Sequence, residues 1–102
     1  MNEIVCDAIR ARRLLRFVYD GYERIIEPHI HGINTASHEM VSGWLVAGWS
    51  ATKTEEGWRN YLIDEMRDVH ALAERFPEPR AGYKANDRNF RQVFCRLEVA
   101  AG

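Results

Sequence analysis

The sequence predicts a mainly β domain of the α+β kind, an antiparallel sheet with one helix before it and one after. Three observations predict this. Asp20-Gly21 joins two β-rich runs, Leu14 to Tyr19 and Tyr22 to Ile26, as a two-residue hairpin turn does. Met40 to Trp49 and Trp58 to Ile63 form a second pair of strand-like runs that together hold all three tryptophans. The two ends of the chain instead carry apolar residues at helical spacing.

Ile4, Val5, Ala8, Ile9 and Ala11 recur at that spacing, with Glu3, Asp7 and Arg10 left for the opposite face, so a short amphipathic helix opens the chain. The basic run Arg10 to Arg16 reads as a solvated end where the chain leaves the helix, since cations suit a helix C-terminus. After the hairpin, Pro28 limits its strand to an edge or a bend, because it has no N–H to give a ladder. His29 and His31 share a face if that strand continues. Gly32 to Glu39 reads as polar and turn-like. Gly43 and Gly48 mark points of bulging or tight curvature in the next strand. Ser50 to Gly57 is a polar connection, and an antiparallel return makes these two strands the expected centre of the sheet.

From Asp64 to Phe76 the local signals conflict. Met66, Val69, Leu72, Ala73 and Phe76 have helical spacing, while Val69, Ala71 and Ala73 alternate as a strand would. Propensity favours the helix, with Pro77 as its stop. Pro77 to Gly82 is a loop, and Asn86 or Asp87 caps a C-terminal helix carrying Phe90, Val93, Phe94 and Leu97.

At 102 residues the chain is expected to be a single domain. No apolar run approaches bilayer length and the start lacks the layout of a signal peptide, so a cytoplasmic location is expected. Cys6 and Cys95, far apart in sequence, fit reduced, buried thiols better than a disulfide framework. A net charge of −1 gives no general attraction to nucleic acid, so any basic surface is local.

The order of these features is specific in combination. Gly43-Trp44-Leu45-Val46-Ala47, Arg59-Asn60-Tyr61-Leu62-Ile63-Asp64, Glu27-Pro28-His29, Gly57-Trp58-Arg59 and Pro79-Arg80-Ala81-Gly82-Tyr83 together resemble the WYL domain, and within it the stand-alone bacterial proteins that lack an attached DNA-binding domain. The likeness covers roughly residues 8 to 97. It departs from the family at Gly43, the first position of the Trp-Tyr-Leu motif, and at Glu65, where a basic residue is usual. The resemblance implies a bent, five-stranded antiparallel barrel, Sm-like or SH3-like, with N-terminal and C-terminal helices. It also implies that Val69 to Ala73 is the closing strand, against local propensity. A role in bacterial transcription regulation or phage defence is implied as well.

The expected ligand site centres on Arg59, whose planar guanidinium grips a phosphate or carboxylate in two places. Tyr61, two residues on and on the same strand face, would stack a base or donate a hydrogen bond. The alternative for Arg59 is a structural ion pair with Asp64 or Glu27. Trp44 and Trp49 lie on opposite faces of an unbroken strand, so one belongs to the core and the other nearer solvent. His29 is a candidate donor to ligand, and Arg12, Arg13 and Arg16 form an outer basic rim. His29, His31, His38 and His70 with Cys6 and Cys95 raise the question of zinc, but no second closely spaced pair completes a tetrahedral set, so no metal or other cofactor is expected. The chain has no nucleophile elbow, phosphate-cradling glycine loop or HExxH stretch, so an enzyme is not expected. The expected function is binding of an anionic small molecule, a nucleotide or a single-stranded nucleic acid. The alternative is a self-associating interaction module, a homodimer built through exposed strand edges or the C-terminal helix.

Overall fold

A computed structural model describes residues 2–48 and 55–98. Helix α1 (Asn2–Ala11) is followed by β1 (Arg13–Tyr19), β2 (Tyr22–Asn34), β3 (Glu39–Gly48) and β4 (Gly57–Leu62). A single 3-10 turn (Ile63–Glu65) leads into β5 (Arg67–Arg75), and β6 (Phe90–Arg96) ends the fold. Trp49 and most of the polar connection after it lie outside the described residues. Among the described residues no helix is long and apolar enough to cross a membrane.

Helix α1 forms as its spacing requires, with Val5, Ala8 and Ile9 buried. It stops at Arg12, whose φ of 56° is the left-handed conformation that commonly closes a helix. The basic run therefore spans the last turn of α1, the turn at Arg12 and the first residues of β1. The Arg12 guanidinium donates to the backbone oxygens of Pro77 and Glu98, so it ties distant segments together.

All six strands belong to one antiparallel sheet in the order β4-β3-β2-β1-β5, with β6 also paired to β2. The thirteen-residue β2 organises it. Its first half, Tyr22 to Ile26, pairs with β1, and its second half, Ile30 to Asn34, pairs with β6. The switch falls at Pro28 and His29. Pro28 offers no N–H to either neighbour, and His29 is the extra residue of a bulge, since Pro28 opposes Gly43 while Ile30 opposes Ser42. The expected bend at Pro28 is thus the place where one strand exchanges partners.

Several expectations change. The centre of the sheet is β2, because β4 pairs only with β3 and forms an edge. The barrel is not closed. The 3-10 turn carries the chain from β4 to β1, where β5 pairs, and among the described residues β4, β5 and β6 each pair on one side only, as the unjoined edges of a bent, open, six-stranded sheet. Gly32 to Asn34 extend β2, and the turn is confined to the residues after them, where the Asn34 side chain accepts from the Ala36 and His38 N–H groups at 3.0 and 2.9 Å.

The C-terminal helix is a strand. A helix with its apolar stripe on Phe90, Val93, Phe94 and Leu97 would bury Phe94, but Phe94 is 38% exposed while Cys95 and Leu97 are buried. Alternation from Val93 onward fits a strand, and a register shift opposite His31 and Gly32 turns Phe94 outward. A Cβ on Gly32 would lie 2.1 Å from the Gln92 carbonyl oxygen, so β6 approaches closely only because that residue is glycine. For the disputed segment, tertiary pairing with β1 overrides helix propensity, and residues 69–73 lie within β5 as the resemblance implies.

The main core packs α1 against the inner face of the bend, where Leu15, Phe17, Ile26, Val41, Leu45, Tyr61 and Leu97 meet Val5 and Ile9. Each fully buried side chain of this kind contributes about 1.5–3 kcal/mol. The expectation of free thiols is overturned as well. Strand β6 brings Cys95 beside α1 with a Cα separation of 5.7 Å from Cys6, and the two are joined as a disulfide.

Candidate functional site

Two groups of chemically capable side chains stand out, and both depend on the bend of β2. The first forms on the face of β3 and β4 that carries Trp44 and Trp58, which are direct cross-strand partners. Their rings meet edge to face at 5.8 Å. The loop after β5 folds over them. Trp58 donates its indole N–H to the Ala81 carbonyl at 3.0 Å, and Gly82, with φ of +91°, turns the chain directly against that indole.

Arg80 is fixed on this surface from two sides. Its Nε and Nη2 donate to the two carboxylate oxygens of Glu27 at 2.7 and 2.9 Å, a bidentate pairing. Its guanidinium carbon stands 5.1 Å from the centre of the Trp44 ring, within cation–π range. Glu27 holds the Arg80 guanidinium even more firmly protonated than usual. An arginine has five N–H donors; two are used here, and the other three remain on a side chain that is 41% exposed.

His29 supports this arrangement from beneath. It is fully buried, with Nδ1 2.7 Å from the Glu27 carbonyl oxygen and Nε2 accepting the Arg80 backbone N–H at 3.1 Å. Those partners fix the tautomer, with the proton on Nδ1. Burial holds its pKa below the ordinary value, opposed by the Glu27 carbonyl and carboxylate. Trp58, Phe76 and Tyr83 pack around the ring at 4.7, 5.6 and 5.2 Å. Tyr83 in turn donates to the Leu97 carbonyl at 2.8 Å, anchoring the loop to the end of β6.

Two cavities border this cluster, one beside the Glu27–Arg80 pair and one beside Trp58. One of about 360 Å³ is lined by Glu27, Phe76, Pro77, Glu78, Pro79 and Arg80 among others. The other, about 140 Å³, is lined by residues including Ser42, Trp58, Asn60, Tyr83, Lys84 and Asn89.

The structure distributes the expected site residues unevenly. Trp44 and His29 are in this group, with Trp44 half-buried and His29 wholly enclosed. Arg59 and Tyr61 lie on the other face of β4. Tyr61 is 4% exposed and packs edge to face between Phe17 and Tyr19 at 4.9 and 4.8 Å, where burial raises its pKa. Arg59 is partly buried and turns back along its own strand, donating to the carbonyls of Trp58 and Glu55 at 2.8 and 2.9 Å. The acid once set against Arg59, Glu27, belongs to Arg80. Arg13 is exposed at the start of β1 opposite Arg75, and Arg16 pairs with Glu23 at 2.7 Å. Glu65 accepts from the Tyr19 hydroxyl at 3.0 Å and lines a different hollow, with Val18, Asp20 and Arg67.

Arg80, rather than Arg59, is the arginine held rigidly over an indole. Its signal was present: three short motifs, Glu27-Pro28-His29, Gly57-Trp58-Arg59 and Pro79-Arg80-Ala81-Gly82-Tyr83, meet here as one cluster.

The second group is His31 with Cys6 and Cys95. His31 is fully buried, with Nε2 2.6 Å from the Glu39 carboxylate and Nδ1 3.3 and 3.8 Å from the two sulfurs. Burial lowers its pKa against the opposing pull of Glu39. No family model, no curated protein and no solved structure matches this chain.

Proposed function

We propose that this chain is a regulatory ligand-binding domain that takes a nucleotide or a short single-stranded nucleic acid on the Arg80, Trp44 and Trp58 surface. The observation that carries the reading is Arg80 itself: a guanidinium immobilised by Glu27 over an indole, with three N–H donors still to give. Immobilisation lowers the entropy lost when those donors engage a phosphate or carboxylate. Trp58 borders the smaller cavity, where Asn60 and Asn89 can hydrogen-bond a base edge and Lys84 can meet a second phosphate. The resemblance to WYL domains is the ground for the regulatory role in transcription or phage defence.

Local charge sets the character of the binding. Glu27 and Glu78 line the same cavity as Arg80, and Glu56 is close enough to reinforce its charge. With acids balancing the two cations, stacking on the tryptophans contributes more than phosphate attraction, at about 1–3 kcal/mol per base. The salt dependence is then shallow: one or two phosphate contacts to a single strand give a log–log slope of about −0.7 to −1.4.

The test is a tryptophan-fluorescence titration with nucleotides and short single-stranded oligonucleotides at two salt concentrations. Arg80→Lys keeps the charge, loses the fork, and is expected to weaken binding about tenfold, which corresponds to about 1.4 kcal/mol. Arg59→Ala is expected to leave it unchanged. The reverse outcome, with Arg59→Ala damaging and Arg80→Lys silent, would return the site to the other face of β4.

A second reading is favoured by the open sheet. Among the described residues β4, β5 and β6 each pair on one side only, and a second copy of the chain could add to any of these edges. Light scattering over a wide concentration range separates the readings, since a strict monomer leaves no room for edge pairing.

A further inference from the structure

The tautomer of His31 poses a problem that the disulfide form does not solve. Its Nε2 faces a carboxylate oxygen of Glu39 at 2.6 Å, so Nε2 carries the proton and donates. Nδ1 then presents a lone pair, in a fully buried ring, to Cys6 Sγ at 3.3 Å and Cys95 Sγ at 3.8 Å. Disulfide sulfurs carry no hydrogen. The lone pair is therefore aimed at two atoms that cannot donate to it, and a buried acceptor left unpaired costs about 1–3 kcal/mol.

We propose that reduction of the Cys6–Cys95 bond opens a Zn²⁺ site whose protein ligands are Cys6 Sγ, Cys95 Sγ and His31 Nδ1, with Glu39 orienting the His31 ring. The three donor atoms already lie within 4.8 Å of one another, and all three residues are buried. Tetrahedral zinc with Zn–S of about 2.3 Å and Zn–N of about 2.0–2.1 Å sets its sulfur and nitrogen ligands about 3.6 Å apart. The observed 3.3 and 3.8 Å lie on either side of that value. A carboxylate on the far nitrogen is the usual second partner of a zinc-bound histidine, because it fixes the tautomer and makes the ring a better donor. Two thiolates and one imidazole suit a thiophilic ion such as Zn²⁺ far better than Mg²⁺ or Ca²⁺.

The chemistry balances in two steps. A dithiol reductant gives two electrons and two protons to the Cys6–Cys95 bond, leaving two thiols and its own disulfide. Zn²⁺ then displaces both S–H protons to solvent, and His31 stays neutral with its Nε2–H on Glu39. A hollow of about 510 Å³ lined by Ile9, Arg10, Arg12, Phe94 and Cys95 among others reaches the sulfur side of the cluster. It borders Cys95, and through it the ion and a water as fourth ligand would enter. The site is thus closed by oxidation and opened by reduction, consistent with the transient or redox-sensing disulfides found in reducing compartments.

The experiment uses the full chain, oxidised or reduced anaerobically with a non-chelating phosphine, incubated with Zn²⁺, freed of loose metal by gel filtration and assayed by elemental mass spectrometry. One Zn²⁺ per reduced chain and essentially none per oxidised chain is the expected result. Glu39→Gln is expected to weaken binding 10–100-fold by a competing chelator, and Cys6→Ser with Cys95→Ser to abolish it. A measurement on the unaltered chain removes any dependence on how the variants fold: bound Zn²⁺ must slow alkylation of both cysteines together. Equal zinc on oxidised and reduced chains, a reduced chain without zinc, or alkylation indifferent to zinc would each overturn the proposal. So would a reduced chain that unfolds with Zn²⁺ present, because an ion bound to the native state must stabilise it.

Discussion

The Glu27–Arg80 pair gives an asymmetric prediction, because its partners are buried to different degrees. The Glu27 side chain is 7% exposed and that of Arg80 is 41% exposed, with contacts at 2.7 and 2.9 Å. Removing Arg80 strands a carboxylate in a nearly dry place. Removing the charge of Glu27 frees an arginine that water can still reach. Breaking a fully buried pair costs about 3–5 kcal/mol, and partial exposure of Arg80 brings the Arg80→Ala figure down to about 2–4 kcal/mol. Glu27→Gln keeps the shape and one hydrogen bond, so its cost is about 1 kcal/mol. The double variant is expected to be less destabilised than the sum, since both changes remove one interaction. Urea unfolding of the four proteins measures this directly, and in a domain of this size each kcal/mol moves Tm by about 4–8 °C. Equal costs, or Glu27→Gln costing more than Arg80→Ala, would refute the view that the buried carboxylate depends on Arg80.

Three other perturbations test the surrounding structure. Gly82→Ala puts a methyl group 3.0 Å from the Trp58 indole nitrogen at a φ of +91°, so a loss of about 1–2 kcal/mol with a shift in tryptophan emission is expected, and an unchanged spectrum and midpoint would contradict the close approach. Tyr61→Phe removes a buried hydroxyl that, among the described residues, meets only the nearby Arg24 side chain and makes no hydrogen bond of normal geometry, so stability should be unchanged within about 0.5 kcal/mol or improve, and a loss above about 1 kcal/mol would mean that Arg24 pairs with the hydroxyl. His29, whose pKa is held below 6.5 chiefly by burial, makes the oxidised domain less stable in mild acid. Unfolded chains take up a proton near 6.5 that the folded ring still refuses, so this contribution is intact above about 6.5 and declines as pH falls toward the folded value. NMR of the oxidised chain checks it, and a His29 ring titrating at or above 6.5 would disprove it.

How far the sequence disclosed the fold depended on whether a signal was local. The Asp20-Gly21 hairpin was readable because two residues decide it, and the register Tyr19 to Tyr22 closes it as expected. The first helix was readable for the same reason. Phe90 to Leu97 misled because Phe90, Val93, Phe94 and Leu97 satisfy a helical period while Val93, Cys95 and Leu97 satisfy a strand period. Only the pairing of β6 with β2 decides between them, and its closest approach is at Gly32, some sixty residues earlier. The disulfide was hidden because its cysteines lie 89 residues apart, and only the pairing of β6 with β2 brings Cys95 beside α1.

The site was half legible for a related reason. Periodicity correctly set Arg59 and Tyr61 on one face of β4, but it did not say which face meets the core. Tyr61 answers that: with its ring against Phe17 and Tyr19, the face belongs to the interior, and Arg59 at its margin has its donors taken by the carbonyls of Trp58 and Glu55. The opposite face carries Trp58, its partner Trp44 and the loop that brings Arg80, and it is the face on which we propose that a ligand binds. A guanidinium two residues from a tyrosine invited attention because they were close in sequence. The better candidate is fifty-three residues from its carboxylate, and it became visible only when the bend at Pro28 brought Glu27 and His29 under the loop. If Arg80 binds ligand, the bend at Pro28 is what sets Glu27 and His29 beneath it, and straightening β2 there should cost binding before it costs folding of the β1–β2 hairpin.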